Sequence, residues 1–248
     1  GAAEIVLVEA SPTLRDIQST TLDGCRIRWI DTPDELGEQP LYLVANEFFD
    51  ALPIRQFVRD DKGWRERHIS HRNGALSFGL GPRLPQPALS DRLDDTVDGD
   101  LVENCTPLTG YMHPISHRIA TYGGAALIID YGDWHSLGDT LQALKGHRSV
   151  DPLMAPGQCD LTAHVDFEKL ALAASPAKHS RVTPQGVFLE RLGITQRAHA
   201  LAKAMSGTAL ETHIAAHRRL THPSEMGNLF KVMGLYPPTQ PPLPGLEP

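Results

Sequence analysis

The clearest structural signal in this chain is the segment Leu41-Tyr-Leu-Val-Ala-Asn-Glu-Phe-Phe-Asp-Ala-Leu-Pro53. Its apolar run ends abruptly at Asn46 and Glu47, and Asp50 follows after two phenylalanines. A short unbroken apolar run is typical of a parallel strand that helices cover on both faces. In open α/β sheets, ligands bind just beyond the carboxyl ends of such strands. The sequence therefore predicts an α/β fold with Asn46, Glu47 and Asp50 at its ligand-binding edge.

The residues before this segment continue the same pattern. Residues 4–9 form a β-branched run that ends in an acid, and Ser11 with Pro12 predicts the start of a helix. Residues 26–30 alternate in polarity and predict a second strand, ahead of the strand at 41–45. The order of these elements is that of a parallel sheet.

The pattern after Pro53 predicts a change of architecture. Short alternating runs separated by Asp-Lys-Gly and Asn-Gly indicate hairpins. We therefore divide the chain into a partial core (1–53), an inserted β-hairpin subdomain (54–106), the rest of the core with a helical region (107–236) and a Pro-rich tail (237–248). Residues 133–163 have little periodicity and predict a long functional loop. The tail resembles polyproline and is expected to be disordered.

Composition limits the range of functions. The chain has 248 residues, a formal net charge of −7 and a pI near 5.9, so it lacks the basic field that nucleic-acid binding needs. No apolar run in the sequence approaches the roughly 18 residues of a membrane span. Three cysteines without a CxxC spacing favour a reducing compartment. His113 and His117 lie one helical turn apart, but without an HExxH motif or a paired carboxylate we expect no metal site.

Four co-linear segments together resemble the MidA-like family of S-adenosylmethionine (SAM)-dependent methyltransferases. They are Val6-Leu-Val-Glu-Ala-Ser-Pro-Thr-Leu-Arg-Asp-Ile-Gln18, Ala45-Asn-Glu-Phe-Phe-Asp-Ala-Leu-Pro53, Gly123-Gly-Ala-Ala-Leu-Ile-Ile-Asp-Tyr-Gly132 and Ala155-Pro-Gly-Gln-Cys-Asp-Leu-Thr-Ala-His-Val-Asp-Phe167. The resemblance covers nearly the whole chain, and four matches in order are far more specific than any single one.

The resemblance implies a class I methyltransferase with a Rossmann-like sheet, incomplete at its N-terminus, an inserted antiparallel β segment and a helical C-terminal region. The family's mitochondrial member is an assembly factor for respiratory complex I and methylates an arginine. The implied reaction is methyl transfer from SAM to a protein arginine, with a complex I subunit as partner. The implied compartment is the cytoplasm in a bacterium or the mitochondrial matrix in a eukaryote. A homodimer is one possible oligomeric state.

The resemblance also implies where SAM would bind. Glu9 corresponds to the strand end at which such enzymes hold the ribose hydroxyls, and a carboxylate can accept two hydrogen bonds from them. Asp31, or Thr32 beside it, corresponds to the position that holds the adenine edge. Asn46 and Glu47 correspond to the strand end near the reactive methyl group. A strand-end acid such as Glu9 can instead cap the helix that follows it.

The predicted catalytic residues are Glu47, Asp50 and Asn46. Of the two acids, Glu47 is the stronger candidate. Carboxylates match the planar fork of a guanidinium and can orient its nitrogen toward the methyl group. Because the guanidinium pKa lies above 12, proton loss must accompany or follow transfer, and a nearby acid can accept the proton. The alternative is that Glu47 and Asp50 only cap a short helix and that Asn46 only ends the strand.

Asp130, Tyr131 and His164 are the predicted substrate-binding residues. Asp130 ends the strand of 125–130, and Tyr131 follows it where an aromatic ring could pack on substrate or cofactor. His164 belongs to an alternating polar run within the fourth matching segment. The alternatives are that Asp130 closes the strand and that the polar run holds the long loop in place.

The chain departs from the family at its beginning. It opens Gly-Ala-Ala-Glu and enters a strand pattern at once, so we expect the native polypeptide to start further upstream. Family members carry there a first strand and a glycine-rich loop that holds the methionine part of SAM. That strand lies between the strands corresponding to 4–9 and 41–45. Its absence predicts either an empty slot between them, with costly unpaired backbone groups, or two strands that have closed up.

A second function of another class stays open. The chain could be a non-catalytic binding or assembly module that holds a client protein through its hairpins and helical region. An in-frame strand and Gly-x-Gly segment upstream of Gly1 would favour the enzyme. A stop codon or unrelated sequence there would favour the binding module. In either case we expect this chain alone to bind SAM poorly.

Overall fold

The computed structural model describes residues 3–247. Residues 1 and 2, which belong to the predicted partial core, and residue 248, the last of the predicted tail, lie outside the described residues. Within that range the strands are β1 (Ile5–Val8), β2 (Ile27–Ile30), β3 (Leu41–Asn46), β4 (Arg55–Asp60), β5 (Gly63–Arg72), β6 (Ala75–Leu84), β7 (Leu101–Asn104), β8 (Gly124–Asp133), β9 (Gln142–Lys145), β10 (Arg148–Val150), β11 (Asp160–Thr162), β12 (Val165–Asp166), β13 (Lys178–His179), β14 (Thr183–Pro184) and β15 (Phe230–Tyr236). The α-helices in the same range are α1 (Pro12–Thr21), α2 (Leu108–Tyr122), α3 (Phe167–Ala173), α4 (Gln185–Arg191), α5 (Ile194–Ala202), α6 (Gly207–Thr221) and α7 (Met226–Leu229).

The central sheet is built around β8. β3 lies parallel to β8 along one edge, β12 continues that edge in parallel, and β15 returns antiparallel along the other edge. α2 and α3 cover the sheet and bury Met112, Ile119, Phe167 and Leu170 completely. The predicted α/β fold is confirmed, and the sheet is mixed because the terminal strand runs against its neighbour.

Gly124, in the Gly123-Gly124 pair, has a clear structural role. It opens β8 opposite Leu41, where an added Cβ would lie 2.0 Å from the Leu41 carbonyl oxygen, and its φ is +102°. Only glycine adopts this conformation readily and permits such a close backbone approach. The pair therefore serves the packing of β3 against β8.

An open slot separates β1 from β3. Among the described residues, β1 pairs only with β2 and β3 only with β8, so their facing edges have no strand partner. The cavity between them has a volume of about 850 Å³. Along β3, Tyr42 is 84% exposed and Val44 is 70% exposed. The strands have not closed up, and the predicted empty slot is present.

The predicted antiparallel insertion is confirmed as a four-stranded sheet of order β6-β5-β4-β7. Asn73 and Gly74 form the two-residue turn between β5 and β6, both with positive φ, as the Asn-Gly signal predicts. The sheet has its own small core, formed by Phe57, Trp64 and Val102 together with Leu89. Whether this part is a separate domain stays a prediction.

Residues 133–163 are more structured than predicted. They carry β9, β10 and β11, which form a three-stranded antiparallel sheet of order β10-β9-β11. Strands of three or four residues are too short to show periodicity, which is why the sequence suggested only a loop.

The prediction of a disordered tail is wrong. Leu243 and Leu246 pack in a cluster with Phe188 and Val232, and Leu246 is only 7% exposed. An added Cβ at Gly234 would lie 2.5 Å from the Leu243 side chain, so this glycine makes room for the tail. The leucines between the prolines anchor a segment whose composition alone favours disorder.

The helical C-terminal region is confirmed in α4 to α7, which pack against one another beside β14 and β15. In the described part of the chain, we find no helix that combines the length and hydropathy required to cross a bilayer.

Candidate active site

The carboxyl ends of β3 and β8 lie side by side. Asn46 is in register with Ile129, and the Glu47 N–H donates to the Ile129 carbonyl oxygen over 3.0 Å. Beyond these residues the chain turns at 48–50 and meets the end of β8. The parallel pairing thus brings Asn46, Glu47, Asp50 and Asp130 to one edge of the sheet.

Asp130 holds the turn in place. Its Oδ2 accepts hydrogen bonds from the N–H groups of Phe48 (3.2 Å), Phe49 (3.1 Å) and Asp50 (3.3 Å). Its Oδ1 accepts from the N–H of Tyr131 over 3.0 Å. The residue has no exposed surface, so this arrangement favours strand closure, one of the two alternatives, over the predicted substrate contact. Asp130 therefore acts as a positioning residue for the turn.

Asp50 is the carboxylate that Asp130 places. The Tyr131 hydroxyl donates to Asp50 Oδ2 over 2.5 Å, whereas Asp50 Oδ1 has no hydrogen-bond partner among the described residues. Burial raises the pKa of Asp50 above its ordinary value. Burial, together with the charge of Asp50, raises the pKa of Asp130 to about 7. Two adjacent carboxyls are thus held in a buried setting where their charged forms are disfavoured.

Glu47 and Asn46 lie at the exposed rim of the site. The Asn46 side-chain amide donates weakly to Glu47 Oε1 over 3.4 Å. Glu47 has φ +50°, in the left-handed region that residues with a Cβ rarely adopt. Such strained residues cluster at functional sites, where the surrounding structure maintains them. The positive φ of Glu47 therefore supports a functional role for this residue, independently of its position at the end of a strand.

Tyr131 and His164 contact each other beneath the rim. Their rings meet edge to face with centroids 5.5 Å apart, and Phe230 packs on Tyr131 at 5.4 Å. Burial raises the pKa of Tyr131 and lowers the pKa of His164, so both side chains favour their neutral forms. The structure thus brings together Tyr131 and His164, two of the predicted substrate-binding residues, and Tyr131 is hydrogen-bonded to Asp50.

Glu9 lies at the end of β1, across the slot. Its Oε1 accepts from the Ser11 N–H over 2.8 Å, and its Oε2 accepts from the Gln18 side chain over 3.2 Å. The capping contact that the sequence left as an alternative is therefore present. A carboxylate offers about four acceptor sites, so both oxygens retain capacity for ribose hydroxyls.

Asp31 and Thr32 lie at the end of β2. The Asp31 carboxylate is 70% exposed and pairs with Arg15 at 2.6 Å. The N–H groups of Asp31 and Thr32 both donate to Glu35 Oε1, at 2.8 and 3.2 Å. These hydrogen bonds lower the pKa of Glu35. Glu35 thus shapes the predicted adenine position, and its spacing from Thr32 is the capping-box signal that could have identified it.

Gln18 is a second residue that the sequence analysis missed. It donates to Glu9, and its side-chain oxygen accepts from the Trp29 indole N–H over 2.8 Å. Gln18 and Phe48 both line the slot, so the slot extends from the Glu9 side to the turn after β3. No short motif marks Gln18, because its role arises from contacts with Glu9, just after β1, and Trp29 of β2, which are distant in sequence.

The residues at this edge fit part of the cofactor that the resemblance implies. A strand-end carboxylate with free acceptor capacity suits ribose hydroxyls, and the cavity is within the roughly 300–1,000 Å³ typical of ligand sites. Within residues 3–247, however, no strand is followed by a glycine-rich turn that opens a helix. The part of the chain that the structure describes also contains no cluster of three His, Cys, Asp or Glu residues able to hold a metal.

Comparison with solved structures places this architecture among known proteins. An uncharacterized protein from Burkholderia thailandensis matches with a TM-score of 0.81 and 29% identity, over 98% of this chain and 68% of the other. A second protein from that organism, solved with S-adenosyl-homocysteine bound, matches with a TM-score of 0.80 and 28% identity, over 98% of this chain and 66% of the other.

Curated relatives agree with the structural comparison. The mitochondrial protein arginine methyltransferase NDUFAF7 of Danio rerio is 32% identical over 92% of this chain, and that of Mus musculus is 33% identical over 95%. The chain spans about 60% of the length of each of these relatives. Residues 1–185 match the model of the family described as "Putative S-adenosyl-L-methionine-dependent methyltransferase". The chain therefore belongs to the MidA-like family of S-adenosylmethionine-dependent methyltransferases.

Proposed function

We propose that this chain is the larger part of a SAM-dependent methyltransferase that modifies a protein arginine. The observation that carries the proposal is the pair of carboxylates at the carboxyl edge of β3. Glu47 is exposed in a strained conformation, and Asp50 is buried with one oxygen free. Carboxylates in this arrangement suit a guanidinium, which presents five N–H donors in a fixed fork.

When bound, SAM supplies a methyl group on a positively charged sulfur, which leaves as the neutral thioether of S-adenosylhomocysteine after transfer to nitrogen. Glu9 would accept the ribose hydroxyls, and Asp31 or Thr32 would contact the adenine edge. Asn46 would lie near the reacting centre, at the end of β3. Each role depends on a polar group at the carboxyl end of a parallel strand, where ligands bind in such sheets.

Glu47 and Asp50 would hold the guanidinium and orient one nitrogen for in-line attack. Positioning of this kind reduces the entropic part of the barrier. That nitrogen gains the methyl group and loses a proton, which Glu47 or Asp50 can accept or pass to water. Asp130 keeps Asp50 in place, while Tyr131 and His164 would contact the substrate from beneath the rim.

The methionine half of SAM would be held by groups outside the described residues. The support is that residues 3–247 contain no glycine-rich turn between a strand and a helix. We therefore expect isothermal titration of this 248-residue chain to detect weak SAM binding or none. Micromolar affinity would contradict this part of the proposal.

The proposal extends to partners and compartment. The substrate would be a subunit of respiratory complex I, met in the cytoplasm of a bacterium or in the matrix of a mitochondrion. A homodimer is compatible with the exposed apolar residues, such as Ile69, Leu80 and Leu84 on the inserted sheet. These same residues favour the second candidate function, a non-catalytic module that holds a client protein through the inserted sheet.

The test uses the complete gene product with SAM that carries a labelled methyl group. It is incubated with a cell extract, and the labelled polypeptide and residue are identified by mass spectrometry. Label on an arginine supports the methyltransferase. S-adenosylhomocysteine binding without any label transfer contradicts it and favours the binding module.

A matched pair of variants then tests the assigned ribose contact. Glu9→Ala should weaken S-adenosylhomocysteine binding about tenfold, because a charge-assisted hydrogen bond contributes roughly 1.5–3 kcal/mol. Glu211→Ala removes an exposed acid on α6, which does not line the slot, and should leave the affinity unchanged. Equal affinities in the two variants would contradict the role of Glu9.

A further inference from the structure

A second cavity reaches the candidate active site from the other side of the segment after β3. It has a volume of about 380 Å³ and lies between the inserted sheet and β11. Asp50 and the residues up to Pro53 line one end of it. Ile69 and Leu161, which are 56% and 47% exposed, line its walls. We call this cavity the acceptor groove.

The charged groups on the walls of the acceptor groove are already paired. Arg55 forms two 2.7 Å hydrogen bonds to the two carboxylate oxygens of Glu66. Arg67 pairs with Asp139 at 2.5 Å, and its guanidinium stacks on the Phe78 ring at 3.6 Å. These pairs leave the walls close to neutral and partly apolar.

Asp50 is different from the other charged residues that line the acceptor groove. It is only 4% exposed, its Oδ1 has no hydrogen-bond partner among the described residues, and within them it forms no ion pair. Asp130, a second buried carboxyl, accepts a hydrogen bond from the Asp50 N–H over 3.3 Å. A buried carboxylate without a cation is energetically unfavourable, and an external cation would reduce this cost. The acceptor groove therefore ends in an acidic group that a cation complements.

The segment after β3 separates the acceptor groove from the slot. Phe48 and Phe49 line the slot, whereas the next residues, from Asp50 to Pro53, line the acceptor groove. Since Asp50 lines the acceptor groove and not the slot, a molecule in the acceptor groove would reach Asp50 without passing through the slot. This is the arrangement that a two-substrate reaction needs, because donor and acceptor must meet at one edge.

We infer that the acceptor groove binds an extended segment of the protein substrate and directs its arginine toward Asp50. The inference rests on the proposed function and adds the path by which the substrate enters. The aliphatic stem of an arginine packs well on apolar walls while its charged end reaches a carboxylate. Residues flanking the arginine would contact Ile69 and Leu161.

The test compares acceptor-groove variants with a matched control. Leu161→Asp and Ile69→Asp each add a charge at a half-exposed position of the acceptor groove. Ile214→Asp makes the same change on α6, where Ile214 is 57% exposed and does not line the acceptor groove. The complete gene product is used in each case. The probe is a fluorescein-labelled peptide centred on the arginine that the wild-type protein methylates.

We expect the peptide Kd, measured by fluorescence anisotropy, to rise about tenfold or more in both acceptor-groove variants. The KM for methyl transfer should rise in parallel, because the same apolar contact is lost from the bound substrate; a tenfold change corresponds to about 1.4 kcal/mol. Ile214→Asp should match the wild type, and all four proteins should bind S-adenosylhomocysteine equally. In addition, wild type should prefer the arginine peptide to one with glutamine at that position, and Asp50→Asn should lose this preference.

The outcomes separate this inference from the proposed function. If the wild-type protein methylates arginine but Leu161→Asp and Ile69→Asp bind the peptide normally, the acceptor groove is not the entry path and the enzyme assignment stands. If the wild-type protein binds S-adenosylhomocysteine but methylates no arginine, the proposed function fails and the inference fails with it.

Discussion

The Tyr131 hydroxyl donates a 2.5 Å hydrogen bond to Asp50 across 81 residues of sequence. This contact joins the end of β8 to the turn after β3, and Asp130 reinforces it by accepting three backbone N–H groups from that turn. Asp50 is consequently buried with one oxygen free, while Glu47 stays exposed at the rim. The candidate site is therefore a property of the strand pairing as much as of its side chains.

Replacing Asp130 should destabilise the fold. Asp130→Ala removes the acceptor of four N–H groups, three in the turn and that of Tyr131, and each unsatisfied buried group costs about 1–3 kcal/mol. We expect the free energy of unfolding at pH 5 to fall by at least about 2 kcal/mol in urea denaturation. Asp133→Ala is the control, because Asp133 accepts one N–H at an exposed position and should cost less than about 1 kcal/mol. Equal losses in the two variants would contradict the positioning role of Asp130.

The raised pKa of Asp130 predicts a specific pH dependence of stability. Its folded pKa is about 7 against an ordinary value of 3.8, so between these pH values the folded state binds more protons than the unfolded state. The free energy of unfolding therefore falls as pH rises through this window, by at most about 1.4 kcal/mol per pH unit, and levels off above it.

Asp130→Asn isolates this contribution because the asparagine does not titrate. The stability of the wild-type protein relative to Asp130→Asn should be greater at pH 5 than at pH 8. His164, whose lowered pKa acts with the opposite sign, is present in both proteins and largely cancels in the difference. A difference that stays constant between pH 5 and pH 8 would show that Asp130 is not protonated in the folded state.

Glu47→Gly should separate stability from function. Glycine adopts the φ of +50° without a Cβ penalty, which offsets its greater entropy loss on folding. We expect the thermal midpoint to be unchanged or higher, while methyl transfer by the complete gene product falls about a hundredfold or more. Asp61→Gly provides the control at φ +53° in a hairpin turn, where activity should not change. A Glu47→Gly protein with wild-type activity would show that the strained carboxylate has no catalytic role.

The tail contributes to stability through Leu246. Leu246→Ala should lower the free energy of unfolding by about 2 kcal/mol, because truncating a buried leucine typically costs 2–5 kcal/mol and this pocket is near the surface. Leu172→Ala, at a residue that is 68% exposed, should have little effect. If both variants behave like the wild-type protein in denaturation, the tail does not pack as described.

Much of the fold could be predicted from local patterns. The apolar run of β3 with Asn46 and Glu47 at its end, the Ser11 cap of α1 and the Asn73-Gly74 turn each carry a signal within a few residues. The sequence also predicted strands at 41–45 and 125–130, but their pairing in parallel was seen only in the structure. These elements fold as their sequences suggest because local preference and tertiary packing agree.

The rest depends on contacts between distant residues. The roles of Asp130 as the acceptor for the turn and of Gln18 as a partner of Glu9 come from side chains that meet only in the folded chain. Strands β9 to β11 are too short to show a periodic pattern. The composition of the tail predicts disorder, and only the folded structure shows that Leu246 packs against Phe188 and Val232. The acceptor groove, between the inserted sheet and β11, has no sequence signal for the same reason.

The most direct test of the central claim is the effect of Glu47→Gln on methyl transfer by the complete gene product. The substitution keeps the size and shape of the side chain and removes its charge and basicity. The account predicts that S-adenosylhomocysteine binding stays at the wild-type level while transfer to the target arginine falls about a hundredfold. Wild-type transfer by Glu47→Gln would contradict it.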